Sequence, residues 1–428
     1  MIIRPTGPPT LAELFTPKIV TVWREGYGWR SLRDDAIAGL TVAVVALPLS
    51  MGIAIASGVS PDRGLYTAII GGFFVSLLGG SRFQIGGPAG AFIGLVASIV
   101  ERHGYDGLAL ATAMAGLIMI AAALLRIGGH IRLVPPAVIV GFTAGIAVII
   151  AASQIGELLG LTLAHEPAAL MPKLATLFEA LATINRQTVG LALFSIALIL
   201  ILRWLRPAWP VFLIGIAAAT AAALVLALDV ATVVSRFGEV PRTLPVPALP
   251  AFDMAKMLAV LPDAVAIALL GSIESLLSAV VADKMSGARH RLDGELGAQG
   301  IANIAAVAFG GICVTGTIAR TATNVRAGAR GPIAGILHSA YLLVFLFVAA
   351  PLVGLIPLAA LAAMLVVVAW NMTDRREFAA MLGARNGDTA VLLATFLLTI
   401  FFNLLIGIAA GVALAALLHV YRKRRGVQ

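Results

Sequence analysis

The sequence predicts an all-α polytopic membrane protein of 14 transmembrane segments, built as a 7+7 inverted repeat in which segments 3 and 10 are half-helices. Of its 428 residues, 60% are hydrophobic and 12% are charged, whereas soluble domains average about 45–50% apolar and about 25% charged residues. Apolar runs long enough to cross the roughly 30 Å hydrocarbon core recur along the chain. These runs are continuous rather than alternating, which excludes a transmembrane β-barrel.

Each half of the chain contains seven apolar segments. In the first repeat, residues 35–228, they lie at 35–56, 64–80, 87–100, 108–125, 135–155, 187–204 and 209–228. In the second repeat, residues 262–421, they lie at 262–282, 294–309, 316–327, 332–350, 354–371, 387–403 and 404–420. We expect residues 1–34 to be a cytoplasmic segment without a cleavable signal peptide, 229–261 to be an extracytoplasmic linker and 422–428 to be a basic cytoplasmic tail.

The distribution of basic residues sets the orientation. With fourteen crossings both termini lie on one side, and most of the 30 Lys and Arg residues fall in loops on that side. An excess of basic residues marks cytoplasmic loops, so we expect both termini in the cytoplasm of a bacterial inner membrane. Because this bias accounts for the net charge of +9, we predict the lipid bilayer as a partner and no nucleic acid.

Glycine interrupts the third segment of each half. The first interruption reads FQIGGPAGAF at 83–92 and the second reads FGGICVTGTIAR at 309–320. An odd number of spans per half inserts the two halves with opposite orientation. Short Gly/Pro-interrupted segments at matching places in inverted halves are typical of the binding site of a secondary transporter. The alternative interpretation is that these glycines only permit close helix packing.

The physics of such a site favours an anion. A helix that begins at the bilayer midplane has unpaired N–H groups and the positive end of the helix dipole at its start. Two such starts facing each other suit a carboxylate, bicarbonate or sulfate. Glycine lets a ligand approach the backbone, and we expect Pro88 in the first helical turn, where it displaces no hydrogen bond.

Few ionisable residues fall within the spans, where each is costly. Glu274 lies deep in segment 8, one turn before Ser278, and Asp263 lies on the same face nearer the outer mouth. A carboxylate on a face of small residues can carry a coupling proton, or it can ligate sodium together with hydroxyl groups. The structural alternative is an ion pair between Glu274 and Arg320.

Two residues on other segments are candidates for the same site. Arg320 lies about one turn into segment 10, where it either holds the negative charge of the substrate or extends to the cytoplasmic interface. In segment 1, the mid-span Pro48 frees a carbonyl and kinks the helix. That kink either places Ser50 at the wall of the pocket or is structural only.

Other classes of protein have little support. The six histidines form no metal-ligand cluster, and no nucleophile–base pair is apparent, so we predict no enzyme activity and no metal. No Walker motif is present, so ATP is not the direct energy source. The coupling ion, a proton or sodium, is the only cofactor expected, and the single Cys313 rules out an internal disulfide.

Motifs along the chain resemble those of the SulP (sulfate permease) anion transporters. The first half contains AGLTV at 38–42, LPLSM at 47–51, GLYT at 64–67, GGSRF at 79–83 and GFTAGI at 141–146. The second half contains IESLL at 273–277, GELGAQG at 294–300 and IARTATNVRAGA at 318–329. The likeness covers nearly all of residues 31–421. It is greatest to bacterial C4-dicarboxylate transporters, notably in LPL at 47–49, in 324–329 and in AWNM at 369–372.

The resemblance implies a homodimer in which a core domain of segments 1–4 and 8–11 slides as an elevator against a gate domain of segments 5–7 and 12–14. It implies substrate contacts between the half-helices, with Glu274 as the coupling acid. The substrate positions that it implies are Gly87, Ala89, Thr315, Gly316, Thr317 and Arg320.

Two features depart from the family pattern. Many members have a polar residue after the first-span proline, where this chain has Leu49, and most continue after the last span into a cytosolic STAS domain, whereas this sequence ends at Gln428. The sequence thus predicts a proton-coupled transporter of small anions, with C4-dicarboxylates such as succinate or fumarate favoured. The alternatives are a sodium-coupled bicarbonate or sulfate transporter and a channel-like anion conductor.

Overall fold

The computed structural model describes residues 14–129, 134–163, 165–207, 209–384, 386–402 and 404–425. Parts of the two predicted terminal segments, 1–34 and 422–428, lie outside this description. These parts are residues 1–13, residues 426–428 and the side chains of 422–425.

The first half of the chain is helical with one short strand. Its elements are α1 (Lys18–Arg24), α2 (Trp29–Ala56), α3 (Pro61–Tyr66), a π-helical turn (Thr67–Gly71), α4 (Gly72–Leu78), β1 (Gly86–Gly87), a 3-10 turn (Gly90–Phe92), α5 (Ile93–Leu124), α6 (Pro136–Ser153), α7 (Ile155–Leu159), α8 (Leu170–Glu179), a second 3-10 turn (Ala180–Thr183), α9 (Arg186–Leu205) and α10 (Val211–Val225).

The second half follows the same plan. Its elements are α11 (Val233–Phe237), α12 (Met254–Ser286), α13 (Leu292–Ala308), β2 (Thr315–Gly316), α14 (Ile318–Arg326), α15 (Ile333–Gly354), α16 (Leu358–Met372), α17 (Arg375–Ala384), α18 (Gly387–Phe401) and α19 (Leu404–Arg425).

The predicted fold class is confirmed, since each of the fourteen predicted segments contains helix. Among the described residues, seven helices are long and apolar enough to cross a membrane, or eight if the bent pair α16 and α17 counts as one span. The longest apolar stretch, α5 with its preceding 3-10 turn, contains predicted segments 3 and 4. Its backbone breaks at Gly104, which has a φ of 66° and a ψ of −175° that glycine adopts readily.

Several predicted boundaries are wrong. Residues 86–87 form a strand, so the first half-helix starts at Gly90 and Pro88 lies in extended chain before it rather than in the first helical turn. Helix α2 begins six residues earlier than predicted, at Trp29. Helix α12 begins at Met254 instead of 262, which shortens the linker, because the Asp253 side chain accepts the Ala255 N–H (3.1 Å) and caps the helix there.

Helices of the two halves pack in matching pairs. Helix α2, which is segment 1, packs on α15, segment 11, and α12, segment 8, packs on α5, which contains segment 4. Likewise α6, segment 5, packs on α18, segment 13, while α16, segment 12, packs on α9, segment 6. Segments 1 and 8 are equivalent in the two repeats, as are 4 and 11, so the pairs 1/11 and 8/4 correspond. The pairs 5/13 and 12/6 correspond in the same way, as an internal repeat of seven segments requires.

Glycine permits the closest of these approaches. A Cβ built on Gly116 of α5 would lie 2.6 Å from the carbonyl oxygen of Gly300 in α13, and a Cβ on Gly300 would lie 2.5 Å from that of Gly116. Any larger side chain would force the two helices apart. Small residues at helix crossings are the usual basis of packing inside a membrane.

Candidate functional site

The two half-helices start side by side because the strands before them pair. Strands β1 and β2 are antiparallel, with Gly86 opposite Gly316 and Gly87 opposite Thr315. The half-helices follow at Gly90 and Ile318, and no side chain caps either start. We call residues 86–92 and 315–320 the junction. Their first-turn N–H groups lack side-chain acceptors, which leaves the positive helix ends for a ligand.

Arg320 joins the two repeats across the junction. Its Nη1 donates to the carbonyl of Gly86 (3.4 Å), and its Nη2 donates to the carbonyl of Pro88 (3.3 Å) and to the hydroxyl of Ser50 (3.1 Å). The residue is only 2% exposed, and its Nε is buried without a hydrogen-bond partner. Arg320 therefore does not extend to the cytoplasmic interface, and one of its donors is unused.

Gly87 makes room for that guanidinium. A Cβ built on Gly87 would overlap Nη1 of Arg320. The sequence predicted that glycine here would admit a ligand to the backbone, whereas in this structure the group lying on the backbone is the arginine. Gly87 is needed because a side chain would collide with Arg320. Its backbone conformation does not require glycine, since its φ lies outside the left-handed region.

Glu274 is the unpaired acid next to this charge. It is half-buried in α12, and its Oε2 is buried without a hydrogen-bond partner. Arg320 is its charged neighbour, but among the described residues Glu274 forms no ion pair within 4.0 Å. The alternative of a direct structural ion pair with Arg320 is therefore not realised in this structure.

Helix α12 holds β2 through hydroxyl groups. The hydroxyls of Ser275 and Thr315 are 2.8 Å apart, and Ser275 also accepts the N–H of Gly316 (2.9 Å). Thr315 donates to the carbonyl of Gly271 (3.1 Å). Thr315 and Gly316, both predicted to contact the substrate, therefore lie at the junction with these polar groups bonded within the protein.

The remaining predicted residues flank this arrangement. Thr317 continues the ladder, since its N–H donates to the carbonyl of Ile85 (3.1 Å), and Ala89 occupies the corresponding extended position before the first half-helix. Ser278 lies one turn beyond Glu274 and donates to Thr321 (3.0 Å). The structure thus gathers Ser50, Gly87, Thr317 and Arg320 and places Ser278 in a separate bond between α12 and α14.

Asp263 binds a different partner in the first third of α12. Its carboxylate accepts hydrogen bonds from both terminal nitrogens of Arg102 (3.3 and 2.8 Å). Arg102 lies close to the backbone break at Gly104. This bidentate pair ties the first half-helix to segment 8.

The sequence analysis missed a row of polar residues on α13. Glu295, Gln299 and Asn303 are buried. Glu295 and Asn303 bond to the chain leading into β1 and β2, and Gln299 donates to Glu295. Their spacing of four residues within an apolar span could have revealed them, because it places all three on one face of a helix.

Apolar side chains cover the other face of the junction. A Cβ on Gly90 would lie 3.2 Å from Ile150 and 3.5 Å from Met372, and one on Gly94 would lie 3.1 Å from Ile149. These three side chains belong to α6 and α16. The half-helix therefore meets segments 5 and 12 through glycines that face aliphatic groups.

The fold and the paired half-helices together define a polytopic membrane transport protein. The chain belongs to the sulfate permease family, whose family model matches residues 32–395. The predicted family is therefore confirmed, as is the prediction of a transporter rather than an enzyme.

Named relatives span most of the chain. It is 44% identical over 399 residues to the putative sulfate transporter YvdB of Bacillus subtilis, covering 93% of this chain and 75% of the relative. It is 32% identical over 411 residues to the bicarbonate transporter BicA of Synechocystis, covering 92% of this chain and 71% of the relative.

Solved structures support the same fold. The transmembrane domain of a cyanobacterial bicarbonate transporter BicA matches with a TM-score of 0.79 and 31% identity, covering 89% of this chain and 98% of that one. Murine Slc26a9, an anion transporter solved in the inward-facing state, matches with a TM-score of 0.86 over 98% of this chain and 74% of that one. At 17% identity this second likeness concerns the fold alone.

Proposed function

We propose that the protein is a secondary active transporter that binds a small anion at the junction. The observation that carries this proposal is the buried guanidinium of Arg320, held between the starts of two half-helices with its Nε unpartnered. A charged group inside a membrane is costly and typically functional. One fixed positive charge and two positive helix ends together favour an anionic ligand.

Two observations rank the candidate substrates differently. The motifs at 324–329 and 369–372 favour C4-dicarboxylates such as succinate or fumarate. The names of the relatives, a putative sulfate transporter and a bicarbonate transporter, favour an inorganic oxyanion. Each of these ligands offers a planar or tetrahedral oxygen group that fits the same donors, so a transport assay must compare all of them.

We further propose that Glu274 carries a coupling proton. Its buried Oε2 has no hydrogen-bond partner, and an ionised carboxylate in that position would repel an arriving anion and lack compensation for its lost hydration. Proton binding removes both costs, so anion and proton occupancy favour each other. Sodium coupling is the rival, but the nearby hydroxyls of Ser275 and Thr315 already bond to each other.

Alternating access is proposed to follow an elevator motion of a core domain, segments 1–4 and 8–11, against a gate domain, segments 5–7 and 12–14. In support, Gly90 and Gly94 of the core meet aliphatic side chains of the gate. Apolar contacts between small and aliphatic groups impose no directional bonds that a sliding motion must break. We also propose a homodimer in a bacterial inner membrane with both termini in the cytoplasm.

The proposal is tested by uptake into proteoliposomes. Purified protein would be assayed with radiolabelled succinate, bicarbonate and sulfate under imposed proton or sodium gradients. We expect saturable uptake of at least one anion, accelerated by an inward proton gradient. Glu274→Gln should abolish that acceleration, while Glu239→Gln, which alters an exposed carboxylate in the linker between the two repeats, should leave it intact.

Three results would count against specific parts of the proposal. Gradient-driven uptake that survives in Glu274→Gln removes the coupling role of this acid. Acceleration by sodium alone replaces proton coupling with sodium coupling. Current that rises linearly with voltage and does not saturate with substrate indicates a channel.

A further inference from the structure

One face of α13 carries three polar residues that the proposed transport cycle does not use. Glu295, Gln299 and Asn303 are 0%, 0% and 1% exposed. Polar side chains are expensive inside a bilayer and usually mark a functional element. Their partners indicate what they do.

Glu295 binds the segment that leads into β1. Its Oε2 accepts the backbone N–H of Ser81 (2.9 Å), and its Oε1 accepts the side-chain amide of Gln84 (2.9 Å). Gln299, one turn along the helix, donates to the same Oε1 (3.1 Å). Three donors converge on the two oxygens of this carboxyl group, so it fixes the position of residues 81–84.

Gln84 connects Glu295 to the junction through direct contacts. A Cβ built on Gly316 would overlap the carboxamide of Gln84, so the amide lies directly on the backbone of β2. Its orientation is set by Glu295 on the other side. The chain of contacts therefore runs from Glu295 through Gln84 to the strand that precedes the second half-helix.

Asn303 fixes that second strand from the same helix. Its Nδ2 donates to the carbonyl of Val314 (2.8 Å), and its Oδ1 accepts the N–H of Val314 (2.9 Å). One face of α13 thus holds the approach to both strands, one from each repeat, at a fixed distance.

We propose that Glu295 is a positioning residue for the anion site, acting through Gln84 to set the separation of the two half-helix starts. This inference rests on the proposed function. Arg320 and one set of uncapped N–H groups belong to the second repeat, whereas the other set belongs to the first. Their convergence on one ligand therefore depends on that separation. A misplacement of about 1 Å in a preorganised site can cost roughly 100-fold in activity.

The test compares two acidic residues of the same helix. Glu295→Gln keeps the shape of the side chain but replaces one acceptor oxygen by an NH₂ group that faces other donors. We expect it to raise the KM for the transported anion about tenfold, with the maximal rate per folded protein changed less than about threefold.

Asp293→Asn is the matched control. Asp293 is 8% exposed and accepts the N–H of Gly128 (3.1 Å), a residue in the loop after α5 that does not lead into either strand. We expect this variant to lose thermal stability but to keep the wild-type KM. Equal increases of KM in both variants would reduce Glu295 to a general structural role.

A second variant and a second measurement keep the proposal testable. Gln84→Met keeps the length of the side chain and removes the amide, so it should reproduce the raised KM even if Glu295→Gln does not fold. The anion-dependent rise in unfolding temperature measures affinity independently of transport, and both variants should need about tenfold more anion for the same rise.

The outcomes separate the two proposals. Wild-type uptake together with an unchanged KM in Glu295→Gln or Gln84→Met overturns the positioning role and leaves the proposed function standing. A wild-type protein that neither takes up succinate, bicarbonate or sulfate nor is stabilised by them overturns both.

Discussion

At the scale of single residues, Arg320 places its charge across the boundary between the two repeats. It belongs to the second half-helix, but two of its three hydrogen bonds go to carbonyl groups beside the first. Those carbonyls and the hydroxyl of Ser50 hold the guanidinium in place without neutralising it. A fixed cation of this kind costs no reorganisation when an anion arrives, which is the benefit of a preorganised site.

Arg320 can occupy this position only because Gly87 has no side chain. We predict that Gly87→Ala displaces the guanidinium and lowers the apparent affinity for the anion at least tenfold, as measured by uptake kinetics. Gly190→Ala is the control, because a Cβ at Gly190 in α9 meets no atom within 4 Å. This control should keep wild-type transport and gain up to about 1 kcal/mol from helix propensity. Wild-type kinetics in Gly87→Ala would mean that Arg320 tolerates displacement.

At the scale of elements, buried carboxylates join helix ends to neighbouring loops. Asp35 near the start of α2 accepts the N–H of Gly331 (3.1 Å), the N–H of Arg330 and the hydroxyl of Tyr27 (2.6 Å). Asp293 and Glu295 do the same at the start of α13. The bond to Tyr27 is local, with a separation of 8 residues, but the backbone bonds join residues 165 to 296 positions apart. These acids therefore link segments of both repeats into one unit.

The neighbouring acids Asp34 and Asp35 give a sharp test of this view. Asp35→Ala leaves three donors without their acceptor, and each buried unsatisfied group costs about 1–3 kcal/mol. We predict a loss of at least about 2 kcal/mol, seen as a lower unfolding temperature in detergent. Asp34→Ala removes only an exposed ion pair with Arg330, which is worth about 0–1 kcal/mol. Equal losses in the two variants would contradict the prediction.

At the scale of the whole molecule, the contact between the two proposed domains differs from the contacts within them. Gly52, Gly90 and Gly94 face Leu365, Met372 and Ile149 across that boundary, whereas the proposed core contains the hydrogen bonds of α12, α13 and Arg320. At the edge of the boundary, exposed Glu101 of the proposed core also accepts the N–H of Ala168 (3.1 Å) and pairs with His165 (3.3 Å). Strong bonds inside one domain and mainly apolar contacts between domains favour movement as rigid bodies.

Disulfide trapping tests that movement. In a Cys313→Ala background, we predict that oxidised Gly94→Cys/Ile149→Cys loses transport and that a reductant restores it, because this bridge links core to gate. A Cβ on Gly94 would lie 3.1 Å from Cγ2 of Ile149, so the two Cβ atoms are at most ~4.6 Å apart, near the upper limit for a disulfide.

The control for this experiment is Gly141→Cys/Thr395→Cys, which links two helices of the gate. A Cβ on Gly141 would lie 3.2 Å from that of Thr395, and we expect its oxidised form to transport normally. Normal transport with the core bridged to the gate would exclude sliding at this surface.

Hydropathy located the fourteen segments because a membrane permits few alternatives to apolar helices. Repeat logic likewise matched the two glycine interruptions, which pair in the structure. The strands β1 and β2 could not be predicted, since two-residue strands have no periodic signal and exist only through pairing across the chain. The partners of Gly87, Ser278 and Glu295 also depend on tertiary contacts, and a local pattern alone could not identify them.

The small sheet at the junction has a consequence for biosynthesis. Arg320 lies 234 residues after Gly86, to which it binds, so the first half leaves the ribosome well before its partner exists. During that interval the chain around Gly86–Gly87 has no strand to pair with and the space beside Gly87 is vacant. Contacts so distant in sequence form late, and a membrane-inserted first half must remain competent to receive them. The proposed binding site is thus among the last parts of the protein to be completed, and a chain arrested midway through translation contains only half of it.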